Sequence, residues 1–120
     1  MERKFDLEDR LIDFASEIIS FTDTMVSSKA GNHMSSQLLR SGTSTALNYG
    51  EAQSGESRRD FIHKLKIVLK ELRESRVALK IIAKSNLHHD LGIVKKLIDE
   101  CNQLISIFVK SVETSERKNL

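Results

Sequence analysis

The chain has 120 residues with no proline, no tryptophan and five glycines; 39% of it is hydrophobic and 30% charged. Such a length fits one domain over residues 1–120 that buries a core without staples, and the lack of proline and glycine argues against many short strands and turns. Aromatics at 5% disfavour base-stacking sheets, the single cysteine, Cys101, excludes an intrachain disulfide, and a net charge of +2 says nothing about partners.

The first predicted helix spans about residues 6–26. Leu7, Leu11, Phe14, Ile18, Phe21 and Met25 alternate four- and three-residue steps, a heptad seam. Ile12, Ile19 and Val26 form a second apolar row beside it, wider than one helix contact needs. The run Ser27–Asn32 reads as a connection. A second helix over about 34–53 is the least conventional, because Ser35, Ser36, Ser41, Gly42, Thr43, Ser44 and Thr45 are poor or middling helix formers. Met34, Leu38, Thr45 and Tyr49 nevertheless keep helical spacing, and small residues let helix axes approach closely. The alternative is a loop.

Ser54–Ser57 is the next break, with Gly55 suited to the end of a helix and Ser57-x-x-Asp60 resembling a capping box. The third helix, about 58–84, carries Phe61, Leu65, Val68, Leu72, Leu79 and Ala83 as its core stripe, interrupted by Ser75. After a connection over Ser85–Asp90, in which Asp90 suits an N-cap, the fourth helix covers about 91–115. Its seam is Val94, Leu97, Cys101, Leu104, Phe108 and Val112, widened by Leu91, Ile98 and Ile105. The tail from Glu116 onward is polar and expected to fray. Four helices with short connections favour an all-α, antiparallel up-down-up-down four-helix bundle.

The charge is segregated. Residues 1–26 hold three bases against seven acids, and residues 57–86 hold nine bases against three acids. On a helical wheel Arg58, Arg59, Lys66, Lys70, Arg73, Arg76, Lys80 and Lys84 fall within an arc of roughly 120°, with Lys64 alone elsewhere. This stripe is about 40 Å long at the α-helical rise. It reads either as a solvated face partly neutralised by the acidic first helix, or as a surface that follows nucleic-acid phosphates without reading bases. A third reading is an acidic protein partner.

No sequence motif carries a reaction. Phosphate-binding glycine loops, HExxH and CxxC are absent from the sequence. His33 and His63 stand alone, and the adjacent His88 and His89 would diverge on a helix, so no metal site is expected. Cys101 on an apolar seam reads as a small hydrophobe rather than a nucleophile. Asn48, beside Leu47 and Tyr49, reads as structural, hydrogen-bonded to another helix or to Glu51. The expectations are therefore no catalytic residues, no cofactor and no enzymatic activity. Without an apolar leader or a membrane-length apolar run, the chain is expected to be soluble and cytoplasmic.

Three stretches, Ser36-Gln37-Leu38-Leu39-Arg40-Ser41, Ser41 to Ala52 and Ser57 to Ile67, together resemble the bacterial four-helix bundle proteins known as 23S rRNA intervening-sequence proteins. Asn48 and Glu51 stand at the Asn and Glu of that family's pattern, and Asp60 and Phe61 at its acidic-Phe pair. Tyr49, Gly50 and Ala52 depart from its usual Ile, Ala and Gly. The resemblance implies a left-handed bundle assembled as a ring-shaped homopentamer. It also implies a relation to the accessory proteins of diversity-generating retroelements, which bind a reverse transcriptase and nucleic acid. Surplus apolar surface on the first, third and fourth helices, including Ile67, Ala78 and Ile81, independently points to self-association.

Overall fold

The computed structural model describes residues 6–118. It holds helices α1 (Leu7–Thr22), α2 (Lys29–Gln53), α3 (Arg58–Lys84) and α4 (Leu91–Lys118), packed as an all-α four-helix bundle. Consecutive helices run antiparallel. Ile18 meets Gly42 across α1 and α2, Ser41 meets Ser75 across α2 and α3, and Arg76 meets Asn102 across α3 and α4. Every predicted seam residue of α4 is buried, as are Leu11, Phe14, Ile18 and Phe21 of α1. The α3 core is wider than its predicted stripe, adding Ile62, Leu69, Ala78 and Ile82, because α3 packs against both α2 and α4.

Three boundaries differ from the sequence reading, each for a hydrogen-bonding reason. α1 stops at Thr22 rather than near 26. The Thr24 hydroxyl bonds to the Phe21 carbonyl, and Val26 leaves the helix to donate its N–H to Leu87 O at 2.9 Å. α2 starts at Lys29 rather than 34, so Lys29–Asn32 is helix and not connection. Ser28 is its N-cap, accepting the Gly31 N–H at 3.0 Å. α4 continues to Lys118 instead of fraying after 115, while residues 119 and 120 lie outside the described residues, as does the charged start at 1–5.

Other caps follow the sequence. Ser57 accepts the Asp60 N–H at 3.1 Å, and Asp90 accepts the Ile93 N–H at 3.1 Å. Gly55 follows α2 without a left-handed conformation; that conformation falls instead on Asn86, φ 55°, after α3. There Leu87 N–H returns to Ile82 O and Asn86 N–H to Ala83 O, a Schellman closure that buries Leu87.

Small residues on α2 set the closeness of the packing. A Cβ on Gly31 would lie 1.9 Å from the Val26 carbonyl oxygen, where the α1–α2 link crosses the start of α2. A Cβ on Gly42 would lie 2.9 Å from Ile18 Cγ2. Ser41 and Ser75, both fully buried, share a hydrogen bond of 2.8 Å between their hydroxyls. The serine that breaks the apolar stripe of α3 is thus the partner of a serine on α2.

His88 ties the two links at this end together. Its ring stacks on Phe21 with centroids 4.2 Å apart, and its Nδ1 accepts the Asp90 N–H at 3.0 Å. That acceptor role leaves the proton on Nε2, which donates to Thr24 Oγ1 at 2.7 Å. Burial, with repulsion from His89 second, holds the His88 pKa below the ordinary histidine value. His88 and His89 lie in the predicted link between α3 and α4, where their rings stack instead of diverging as they would on a helix.

A candidate nucleic-acid interface

The basic stripe predicted on α3 lies on the outer side of the bundle, bordering α4. Arg58, Arg59, Lys66, Lys70, Arg73, Lys80 and Lys84 are exposed, and Arg76 is half-buried. They share this face because their helical positions fall in one arc, while Leu65, Val68, Leu72 and Leu79 turn the adjoining arc into the core. Two of the eight reach across to α4. Lys66 Nζ pairs with Glu116 at 3.1 Å, and Arg76 donates to Asn102 Oδ1 at 2.9 Å. Val77, 54% exposed, lies among them on the same arc.

The acidic residues of α3 lie on the other flank, toward α2. Arg40 bridges Glu71, at 3.3 Å, and Glu74. Glu71 is buried, and desolvation, reinforced by Glu74, raises its pKa from the ordinary carboxylate value despite Arg40. Arg40 thereby occupies both carboxylates on the side away from the stripe. On α1, Arg10 turns to α4 and holds Glu100 through two hydrogen bonds of 2.9 and 2.8 Å.

The residues of the sequence motif take separate places. Glu51 pairs with Lys64 at 3.3 Å across the α2–α3 turn. Glu51, Asp60 and Lys64 line an open cleft of about 620 Å³ there, together with Glu56 and His63. Asn48 does not reach Glu51 or another helix; its Nδ2 donates to Ser44 O, one turn back in α2, at 2.9 Å. This local bond is available because Ser44 stands four residues before Asn48 on the same helix face. Phe61 is half-buried against the core. Cys101 is fully buried, and desolvation pushes its thiol up to about 12, which keeps it protonated at neutral pH.

Sequence reasoning missed the contributions of Asn102 and Arg40. Neither belongs to the charge run, and only the helix neighbours show that one anchors a stripe residue while the other occupies competing carboxylates. Among the described residues no group of three or more His, Cys, Asp or Glu is arranged to hold a metal ion. No described helix is long and apolar enough to cross a membrane.

The fold and this charged face define a small four-helix bundle protein. The family model described as 23S rRNA-intervening sequence protein matches residues 3–110. The chain belongs to that family. A solved structure, from Bacteroides thetaiotaomicron VPI-5482, is similar at a TM-score of 0.82 and 28% identity, covering 89% of this chain and 98% of that one. It is described as a protein with unknown function from the S23 ribosomal protein family. No curated protein matches the chain.

Proposed function

We propose that the protein is a non-enzymatic, homo-oligomeric helical bundle that serves as a nucleic-acid-binding or ribonucleoprotein accessory module. The observation that carries this reading is the outer face of α3, where seven of the eight stripe bases are exposed while Glu71 and Glu74 are held by Arg40 on the other flank. Such a face can follow phosphates without reading bases. Self-association is supported by exposed apolar side chains, Ile12 and Ile19 on α1 and Val26 in the link that follows it, at 41% to 49% exposure. Leu39 of α2 is also exposed, and it lies near the level of Ile19 in the antiparallel pair. A contiguous apolar row on an outer face favours a partner. Part of the surplus inferred from sequence does not serve this purpose, since Ala78 and Ile105 are buried within the bundle. Five copies, as the family resemblance implies, would repeat the basic face and strengthen weak phosphate contacts through multivalency.

The test is solution mass with and without nuclease, together with RNA and duplex DNA binding over a salt series. A multiple of the chain mass that sheds nucleic acid on nuclease treatment supports the reading. So does binding that weakens steeply with salt. Unchanged binding after Arg73→Glu, Arg76→Glu and Lys80→Glu overturns it. A nuclease-resistant protein complex that depends on the same three residues would favour an acidic protein partner instead.

A further inference from the structure

The ion pairs around α3 divide the basic stripe into two unlike halves. Toward the start of the helix, Lys66 is paired with Glu116, Glu113 lies one turn before Glu116 on α4, and Arg58 and Arg59 make no ion pair among the described residues. Toward its end the neighbouring carboxylates are drawn away. Glu71 and Glu74 go to Arg40, Glu100 goes to Arg10, and Asp99 accepts from Gln103 at 2.8 Å. Among the described residues Lys70, Arg73, Lys80 and Lys84 make no ion pair, and the partner of Arg76 is the neutral Asn102.

α4 adds to this half. The contacts Arg76–Asn102 and Lys66–Glu116 fix the antiparallel register of α3 and α4. In that register Lys95, which is exposed and two turns before Asn102 on the same side of α4, stands level with Lys84.

We infer that the phosphate-docking surface is Lys70, Arg73, Arg76, Lys80 and Lys84 of α3 with Lys95 of α4, and that it takes the backbone of a nucleic-acid duplex. This rests on the nucleic-acid reading above and adds its place and its ligand class. Two observations favour a duplex over a single strand. Single-strand binders stack bases on aromatic side chains, and among the described residues Phe14, Phe21 and Phe108 are buried while Phe61 and Tyr49 are half-buried. The charges are also fixed along a straight helix. Lys70 to Lys84 spans roughly 21 Å at the α-helical rise, the length over which one strand of a duplex presents about six phosphates.

The experiment measures fluorescence polarisation with three probes: a short RNA duplex, a DNA duplex of the same sequence and a uridine homopolymer of equal length. Two variants are compared, each checked by circular dichroism for an unchanged melt. One carries Arg73→Glu, Lys80→Glu, Lys84→Glu and Lys95→Glu; the other carries Arg58→Glu, Arg59→Glu and Lys66→Glu. At least one duplex should bind about tenfold tighter than the homopolymer, and the first variant should lower the salt slope by about 3 to 4. The second variant should lose only several-fold. Equal losses in the two variants overturn the location, and homopolymer binding as tight as the tighter-binding duplex overturns the ligand class. In both cases the broader nucleic-acid reading survives. If no probe binds the wild-type chain while polyglutamate does, that broader reading fails and the proposal fails with it.

Discussion

The contacts that α2 makes with its neighbours contrast with the seam between α1 and α4. On α2, Gly31, Ser41, Gly42 and Thr45 are all buried, and adding one methyl group at Gly31 or Gly42 would bring atoms to 2.9 Å or less. Between α1 and α4 the residues are larger and the approach is looser. Arg10 spans this seam to Glu100 and Gln103, and farther along lies a groove of about 400 Å³ walled by Phe21, Ile93 and Leu97. Residue size decides which helices close on each other: side chains no bigger than a threonine permit a dry, hydrogen-bonded contact. Bulky or charged ones leave a gap bridged by long side chains.

The largest change to this contrast should come from Gly31→Ala. The added methyl has no room against the Val26 carbonyl, so the α1–α2 link must shift. Thermal or urea unfolding should show a loss of about 3 kcal/mol, at the upper end of overpacking costs. A loss under half of that would mean the link yields easily and that the tightness at α2 is not fixed there.

Next is the serine pair. Ser75→Ala leaves the buried Ser41 hydroxyl with only a long 3.4 Å contact to Leu38 O. The expected cost is about 1 to 2 kcal/mol, most of it regained in the Ser41→Ala, Ser75→Ala double variant, because two small apolar groups leave no polar atom unpaired. A double variant as unstable as the sum of the singles would show that shape, not hydrogen bonding, holds α2 to α3.

His88 gives a smaller, pH-dependent effect at the groove end of the α1–α4 seam. Its folded-state pKa is lowered, so the unfolded chain takes up a proton more readily. The stability it contributes is complete above the unfolded histidine pKa, about 6.5. It is lost progressively as pH falls through that value toward the folded one. Protonating Nδ1 would also break its bond from the Asp90 N–H. The melting temperature of the wild type should therefore fall more steeply between neutral and mildly acidic pH than that of His88→Gln. Parallel profiles would remove His88 as the cause.

The smallest effect belongs to Arg10→Gln. The Arg10–Glu100 pair is partly exposed, at 26% for each side chain. Its removal should cost about 0.5 to 1 kcal/mol, shrinking in high salt. A cost equal to that of Ser75→Ala would make the two contacts energetically alike and abolish the contrast.

Much of the architecture was legible from heptad spacing, as the seams of α1 and α4 show, because apolar residues at helical period must share a buried face. The start of α2 was not legible. Gly31 and Asn32 look like connection residues, and only the Ser28 cap and the crossing chain at Val26 make a helix there. His88 was readable only as a poor metal ligand, because its partners Phe21, Thr24 and Asp90 converge from separate segments, which local spacing cannot show. Asn48 was placed on the correct helix with the wrong partner, since a bond to Ser44 O within α2 competes with any partner farther away.

By itself the sequence determined four amphipathic helices, their order, and a basic stripe on α3, all consequences of spacing along one chain. The tertiary structure decided which of those charges are engaged. Arg40, Arg10, Gln103, Asn102 and Glu116 lie far from the stripe in sequence or on other helices, and ion pairing depends on distances that only packing sets. A run that looks uniform along α3 thus becomes one in which Lys66 faces Glu116 while the bases from Lys70 to Lys84 have no acidic partner among the described residues.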